Sequence, residues 1–258
     1  MLYLIYIIAG LGAGIVTGLA GLSAAVVITP LLVSACGLDS YDATTIALAS
    51  DVLASLLTAY TYAKNKNIDI KNGCLVGMIA LIGTIIGSYC GYLFNQAQPN
   101  GLGFIAMATT IGLGMKFLLK PINDGIDGQD NNQQIHQNKI FLAMICSLFI
   151  GWICGFTGSG GGILMLSVFT LLIGYNLKVA VGTSTLIMSC VALVGTLSHI
   201  SIGANVDILA MIIIVFTCLI GALSAAKFAN KCDIQKLNKV IGIVLMILGI
   251  FTLTMKLI

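Results

Sequence analysis

Gly155-Phe156-Thr157-Gly158-Ser159-Gly160-Gly161-Gly162 lies in the middle of an apolar run that extends from 140 to 174. As one helix those 35 residues would be about 52 Å long, well beyond the ~30 Å that a hydrocarbon core requires. Each glycine inside a helix costs roughly 1 kcal/mol against alanine, so this cluster marks a break. The run is predicted to form a helix over 140 to 157 and a short second one over about 160 to 174. The second helix would open with free backbone N–H groups, the positive end of its dipole and almost no side chains in the way. Gly158, Ser159, Gly160, Gly161 and Gly162 are therefore candidate residues for cradling an anion.

The same grammar occurs once earlier. The run 2 to 36 is also 35 residues long, and a shift of 137 places Gly14, Gly18 and Gly21 on Gly151, Gly155 and Gly158 without a gap. Further on, Asn67-Ile68-Asp69 recurs as Asn205-Val206-Asp207, and both halves end in Met-Lys. The remaining apolar runs, 43 to 63, 73 to 94 and 101 to 119, then 177 to 200, 206 to 229 and 237 to 257, follow in matching order. Residues 1–120 and 139–258 thus read as two transmembrane repeats of about five helical segments each, joined by a polar linker over 121–138. The first two segments of each repeat form a candidate re-entrant pair.

Composition agrees with a membrane chain. Of the 258 residues, 59% are apolar and 8% charged, with a mean hydropathy of +1.07. A soluble domain carries about a quarter charged residues. All 12 cations are Lys and all 9 acids are Asp, which excludes any bidentate arginine clamp. No basic run points to nucleic acid, so membrane lipid and a small solute are the expected partners, and self-association into a homo-oligomer stays open. The eight cysteines form no Cys-x-x-Cys pair and read as packing residues, with neither a metal site nor a cofactor expected. The basic n-region of a secretory signal is absent, so the first apolar stretch is expected to remain as a membrane segment.

Lysine placement gives sidedness. Lys64, Lys66 and Lys71 flank one loop of the first half, whereas the equivalent loop Ser201 to Asn205 has none. The next loops reverse this: Asn95 to Asn100 has none, and the second half carries Lys227, Lys231, Lys236 and Lys239. Equivalent loops on opposite sides require inverted-topology repeats. The linker then lies in the cytoplasm and both termini outside, and Tyr3, Tyr6, Tyr41, Tyr60, Tyr62, Tyr89, Tyr92 and Tyr175 fall near the interfaces.

Other candidate residues follow from depth. Gly21 and Ser23, in Gly21-Leu22-Ser23-Ala24-Ala25, form the counterpart of the glycine cluster and a differently tuned half-site. Thr183 and Ser184 offer hydroxyls near the start of a spanning segment, either along a polar path or bonded to their own backbone. Asp51 is the one acid deep in an apolar run, with Thr44, Ala47, Ser55 and Thr58 on its helical face. An ionised Asp near the bilayer centre costs about 2.5 to 3.5 kcal/mol, so it is a functional candidate by default and would couple proton binding to transport of an anion. His199 reads as an interface residue, and Trp152 as a neighbour of the break.

At these residues the chain resembles the TauE/SafE sulfite exporter family of membrane permeases. The resemblance rests on the duplicated Gly-x3-Gly-x2-Gly entry, on Gly158-Ser159-Gly160-Gly161-Gly162 and on Ala180-Val181-Gly182-Thr183-Ser184, and it covers nearly the whole chain in two copies. It implies carriage of sulfite, sulfonates or related organic anions across the bacterial cytoplasmic membrane, usually outward. Ser23-Ala24-Ala25, where that family often has glycines, departs from the pattern. The expectation is an all-α integral membrane protein working by alternating access, with an anion channel or an assembly protein as the alternative. An intramembrane protease using Ser159 and His199 would need Gly-x-Ser-Gly, and position 157 is Thr, so no enzyme is expected.

Overall fold

We describe the fold from a computed structural model, which places residues 2–20, 22–99, 101–119, 137–159 and 161–229, together with 243, 245–247, 250 and 254. The candidate residues Gly21 and Gly160, the linker up to residue 136 and most of the segment 237 to 257 lie outside the described residues. What is described is helical: α1 (Leu2–Ala20), α2 (Ala25–Cys36), α3 (Ser40–Lys64), α4 (Ile70–Ala97), α5 (Gly101–Leu119), α6 (Gln137–Thr157), α7 (Gly161–Ser167, continued by a π-helical stretch Val168–Ile173), α8 (Leu177–Ile202) and α9 (Ile208–Ala229). Six of these, α1, α3, α4, α6, α8 and α9, are long and apolar enough to cross a membrane.

Both long apolar runs are interrupted where the glycine pattern requires it. In the first half α1 ends at Ala20 and α2 begins at Ala25; in the second, α6 ends at Thr157 and α7 begins at Gly161. At 12 residues, α2 rises about 18 Å, too little to span. It folds back along α3: its first turn lies beside Asp51, and three residues connect its end to Ser40. The two short helices stop alike, at Gly37 (φ 65°) and Gly174 (φ 88°), which the 137-residue shift superimposes.

The halves exchange their first helices, and small residues permit it. α1 runs parallel to α9, Gly10 facing Ile214 and Thr217, and Gly18 facing Ala222 and Ala225. α6 runs parallel to α4 in the same manner, Gly151 against Ala80 and Gly155 against Thr84. At Gly14, Gly151 and Gly155 an added Cβ would stand 2.0 to 2.1 Å from a carbonyl oxygen of the facing helix. These three glycines are close-approach positions, as small-xxx-small packing predicts. Between the two exchanged pairs, α3 and α8 cross the centre antiparallel, with Thr45 at His199, Leu48 at Gly195 and Tyr62 at Gly182. α4 runs parallel to α8, and α9 parallel to α3, Asn205 lying beside Asp42 and Cys218 near Asp51.

The recurrent Asn-x-Asp also has a structural cause. Asp69 accepts the Asn72 N–H at 3.1 Å and caps α4, and Asp207 accepts the Leu209 N–H at 2.9 Å at the start of α9. Burial pushes the Asp69 carboxyl up, but hydrogen bonds from Tyr175, Asn72 and the Lys71 backbone outweigh this and hold it below its usual range. A depressed folded value means that the stabilisation is complete above the unfolded value and is lost as the pH falls through the folded one. Melting curves of purified protein should therefore lose stability below about pH 4. In Asp69→Asn, which keeps a capping acceptor but has nothing to protonate, that acid limb should shrink, whereas Asp69→Ala should cost about 1 kcal/mol already at neutral pH.

Of the tyrosines, Tyr3, Tyr60 and Tyr89 are exposed, and Tyr6 and Tyr41 are buried. Tyr41 donates its hydroxyl to the Ser88 carbonyl at 3.2 Å, which satisfies the ring's one polar atom inside the bundle. Cys154 and Cys218 are buried among apolar side chains, whereas Cys74 and Cys190 are exposed.

Candidate functional site: a junction of two broken helices

The two breaks meet. α1 and α6 each end at a break, α2 and α7 each begin from one, and the Ser23 hydroxyl joins the junctions by donating to the Gly158 carbonyl at 3.3 Å. Gly158 has φ 68°, and a Cβ there would stand 2.4 Å from Thr44 Cγ2, so the chain turns against α3 with no room to spare. Beyond it, the Ser159 N–H reaches back to Thr157 Oγ1 at 3.2 Å, and the Thr157 hydroxyl lies 3.0 Å from the Ser159 carbonyl. That side-chain turn replaces the helical bonds that α6 gives up.

Asp51 stands at the other side of the junction, near the middle of α3 and wholly buried. Its Oδ1 accepts the Ala24 N–H at 3.1 Å and the Ser55 hydroxyl at 3.3 Å, and the Ser23 hydroxyl lies within hydrogen-bonding reach of the same carboxyl. Among the described residues Oδ2 has no partner. The carboxylate therefore sits on the N-terminal end of α2, where the free N–H groups and the helix dipole favour negative charge. Thr44, Ala47, Ser55 and Thr58 are all buried with it, so this face of α3 is tightly packed. The hydroxyls of Thr44 and Thr58 are returned to carbonyls one turn back.

The junction gathers Ser23, Gly158, Ser159 and Asp51 and extends to Gly161 and Gly162 at the head of α7, all of them buried. Thr183 and Ser184 do not join it by any hydrogen bond among the described residues. Thr183 Oγ1 accepts the Asp69 N–H at 3.0 Å and so ties α8 to the turn before α4, and the Ser184 hydroxyl donates to the Val181 carbonyl at 3.1 Å. Ser184 thus bonds the backbone of its own helix, whereas Thr183 serves a turn from the other half.

His199 departs most from expectation. It is completely buried and does not face outward from the bundle, with Nε2 2.8 Å from the Gly155 carbonyl and Nδ1 3.0 Å from Thr45 Oγ1. Its ring stacks on Tyr41, centroids 4.1 Å apart. The Ser159 hydroxyl lies 3.4 Å from Thr157 Oγ1, so the hydrogen bonds of Ser159 and His199 lead to different partners and not to each other. Trp152 stacks on Phe156, one turn before the break, and remains partly exposed.

Membrane-length helices folded around a meeting of two broken ones are the build of a multi-pass membrane transporter. The chain belongs to the family described as "Sulfite exporter TauE/SafE", whose pattern matches residues 6–252. It is similar to the probable membrane transporter protein YunE of Bacillus subtilis (strain 168), 27% identical over 96% of both chains. Another relative from the same organism, the probable membrane transporter protein YdhB, is 24% identical over 84% of this chain and 86% of its own. The probable membrane transporter protein MJ0441 of Methanocaldococcus jannaschii is 20% identical over 77% of this chain and 74% of its own. No solved structure matches the chain.

Proposed function

We propose that this protein is a secondary carrier of small anions of the sulfite and sulfonate type, exporting them by alternating access with proton coupling through Asp51. The observation that carries the reading is a buried carboxylate already seated on a helix N-terminus, one oxygen on the Ala24 N–H and the other without a partner among the described residues. In a chain without Arg, an anion at this depth must be held by backbone N–H groups and hydroxyls, and Asp51 competes for the same donors. Protonating Asp51 removes the competing charge and lets a solute anion take the junction. Deprotonation expels it.

The asymmetry between the halves supports this. The 137-residue shift carries Asp51 onto Met188 and Ala24 onto Gly161. Correspondingly, Met188 packs at the head of α7, its Cε 2.7 Å from where a Gly161 Cβ would be. One half-site thus has a built-in anion, and its counterpart has a thioether. The solute would occupy the α7 side, with Ser159, Gly161 and Gly162 around it.

Directions of the helices support inverted repeats. α1, α3 and α9 run one way and α4, α6 and α8 the other, so α1 and its counterpart α6 are opposed. Lys64, Lys66 and Lys71 together with Lys178 then mark the cytoplasmic side of a bacterial plasma membrane, with both termini outside.

Purified protein in proteoliposomes, offered sulfite, sulfonates and small carboxylates with and without a pH gradient, tests the reading. Saturable uptake of a sulfur oxyanion that the gradient accelerates is the expected result. Non-saturating flux would indicate a channel. The absence of flux for every anion would defeat the substrate class.

A further inference from the structure

We propose that His199 is a second proton-binding site, separate from Asp51, held in a socket whose hydrogen bonds are complete whether the imidazole is neutral or charged. The socket is a product of the break. In an unbroken α6 the Gly155 carbonyl would receive the Ser159 N–H, but that N–H has turned to Thr157, and His199 Nε2 takes its place at 2.8 Å. A carbonyl only accepts, so Nε2 carries a hydrogen in both states. The neutral ring then accepts the Thr45 hydroxyl at Nδ1, 3.0 Å away. When a proton is added to Nδ1, the new N–H donates to Thr45 Oγ1. The Thr45 hydroxyl rotates to the Tyr41 carbonyl, which already lies 2.8 Å away. One hydroxyl rotation accommodates the proton, and no polar atom is stranded.

Burial of the ring opposes a charge there, and two features of the surroundings favour a cation against it. Gly155 lies in the last turn of α6, whose dipole presents its negative end there, and the Tyr41 ring lies flat against the imidazole with an interplanar angle of 7°. From α3 the ionisable groups facing this corner are Tyr41 and Asp42, with Asp39 just before the helix; α4 contributes Tyr92, 5.6 Å from Tyr41, and α6 contributes Cys154. Asp42 is engaged by the Asn205 N–H at 2.8 Å. The loops at this end, Asn95 to Asn100 and Ser201 to Asn205, carry no Lys. Along α3, Thr45 and Asp51 are about 9 Å apart, so the two proton sites are separate. Under the shift that aligns the halves, His199 corresponds to Tyr62 and Thr45 to Gly182, so the socket has no symmetry-related copy.

What the proton does rests on the carrier reading, whereas its binding does not. The full chain in nanodiscs with His136→Asn leaves His199 as the sole imidazole, and nitrogen-15 NMR then follows both ring nitrogens from about pH 8 down to the lowest pH at which the protein stays folded. The expected result is a neutral Nε2–H form at the alkaline end and a doubly protonated ring at the acid end. Thr45→Val removes the rotor and should lower proton affinity at least about tenfold, one pH unit, whereas Thr45→Ser should leave it unchanged. In proteoliposomes His199→Gln should remove one titrating step from the pH profile of uptake and leave the step due to Asp51. A ring that stays neutral throughout, or a Thr45→Val titration identical to that of Thr45→Ser, would overturn the proposal. If His199 titrates and no anion is carried, the carrier reading fails alone.

Discussion

Asp51→Asn is expected to abolish accumulation of anion driven by a pH gradient, lowering it at least about tenfold, while exchange of anion for anion across the membrane continues. The amide mimics the protonated carboxyl: it keeps an acceptor for the Ala24 N–H and the Ser55 hydroxyl but carries no charge to compete with the solute. Binding of sulfite to the variant should then lose the part of its pH dependence that belongs to Asp51. Unfolding is not expected to be the cause of the loss. An ionised carboxylate is held inside the bundle at a cost, and removing a buried charge often leaves stability unchanged or improves it. The check is a pair of uptake assays, gradient-driven and counterflow, on the same vesicles. Gradient-driven accumulation at the wild-type level would remove Asp51 from the mechanism.

Gly158→Ala should have the largest effect on the fold. With φ at 68°, any L-residue there bears roughly 1 to 2 kcal/mol of backbone strain. Its methyl group would also stand 2.4 Å from Thr44 Cγ2, and overpacking adds about 1 to 3 kcal/mol. The sum, roughly 2 to 5 kcal/mol, is a large share of the stability of an ordinary domain. The expected outcome is a clear fall in melting temperature and in the yield of folded protein. Thr44→Ser deletes Cγ2, so the double variant should recover the steric part and leave the backbone part. A single variant that melts with the wild type would show that the junction is not tightly packed. Full recovery in the double variant would show that the backbone is unstrained.

The glycine cluster at 158–162 was legible because a helix interior cannot hold so many glycines cheaply, and α6 and α7 part there. Its counterpart at 21–25 has a single glycine, and only the repeat exposed it. Asp51 was legible from depth alone, since a lone acid mid-span needs a partner. That the partner is the end of α2 could not be read, because it depends on α2 folding back. His199 was misread for a related reason. A lone histidine near the end of an apolar run has the same pattern whether it faces headgroups or a carbonyl freed by a break forty-four residues earlier. Thr183 and Ser184 are a different case, since hydroxyl spacing does not separate a residue lining a path from one bonded to a turn. Close approach of glycine to a facing carbonyl was foreseeable at Gly14, Gly18, Gly151 and Gly155. The matching glycines of α4, Gly83 and Gly87, were missed although they lie four apart on one face.

The central claim is that a solute anion and the Asp51 carboxylate exclude each other at the junction. The most direct test adds sulfite to detergent-solubilised protein in weakly buffered solution and follows the pH. The account predicts that binding draws protons from solution in the wild type and that Asp51→Asn, binding the same anion, loses the share belonging to Asp51. Sulfite binding with equal proton uptake in both proteins, or with none in either, would contradict it.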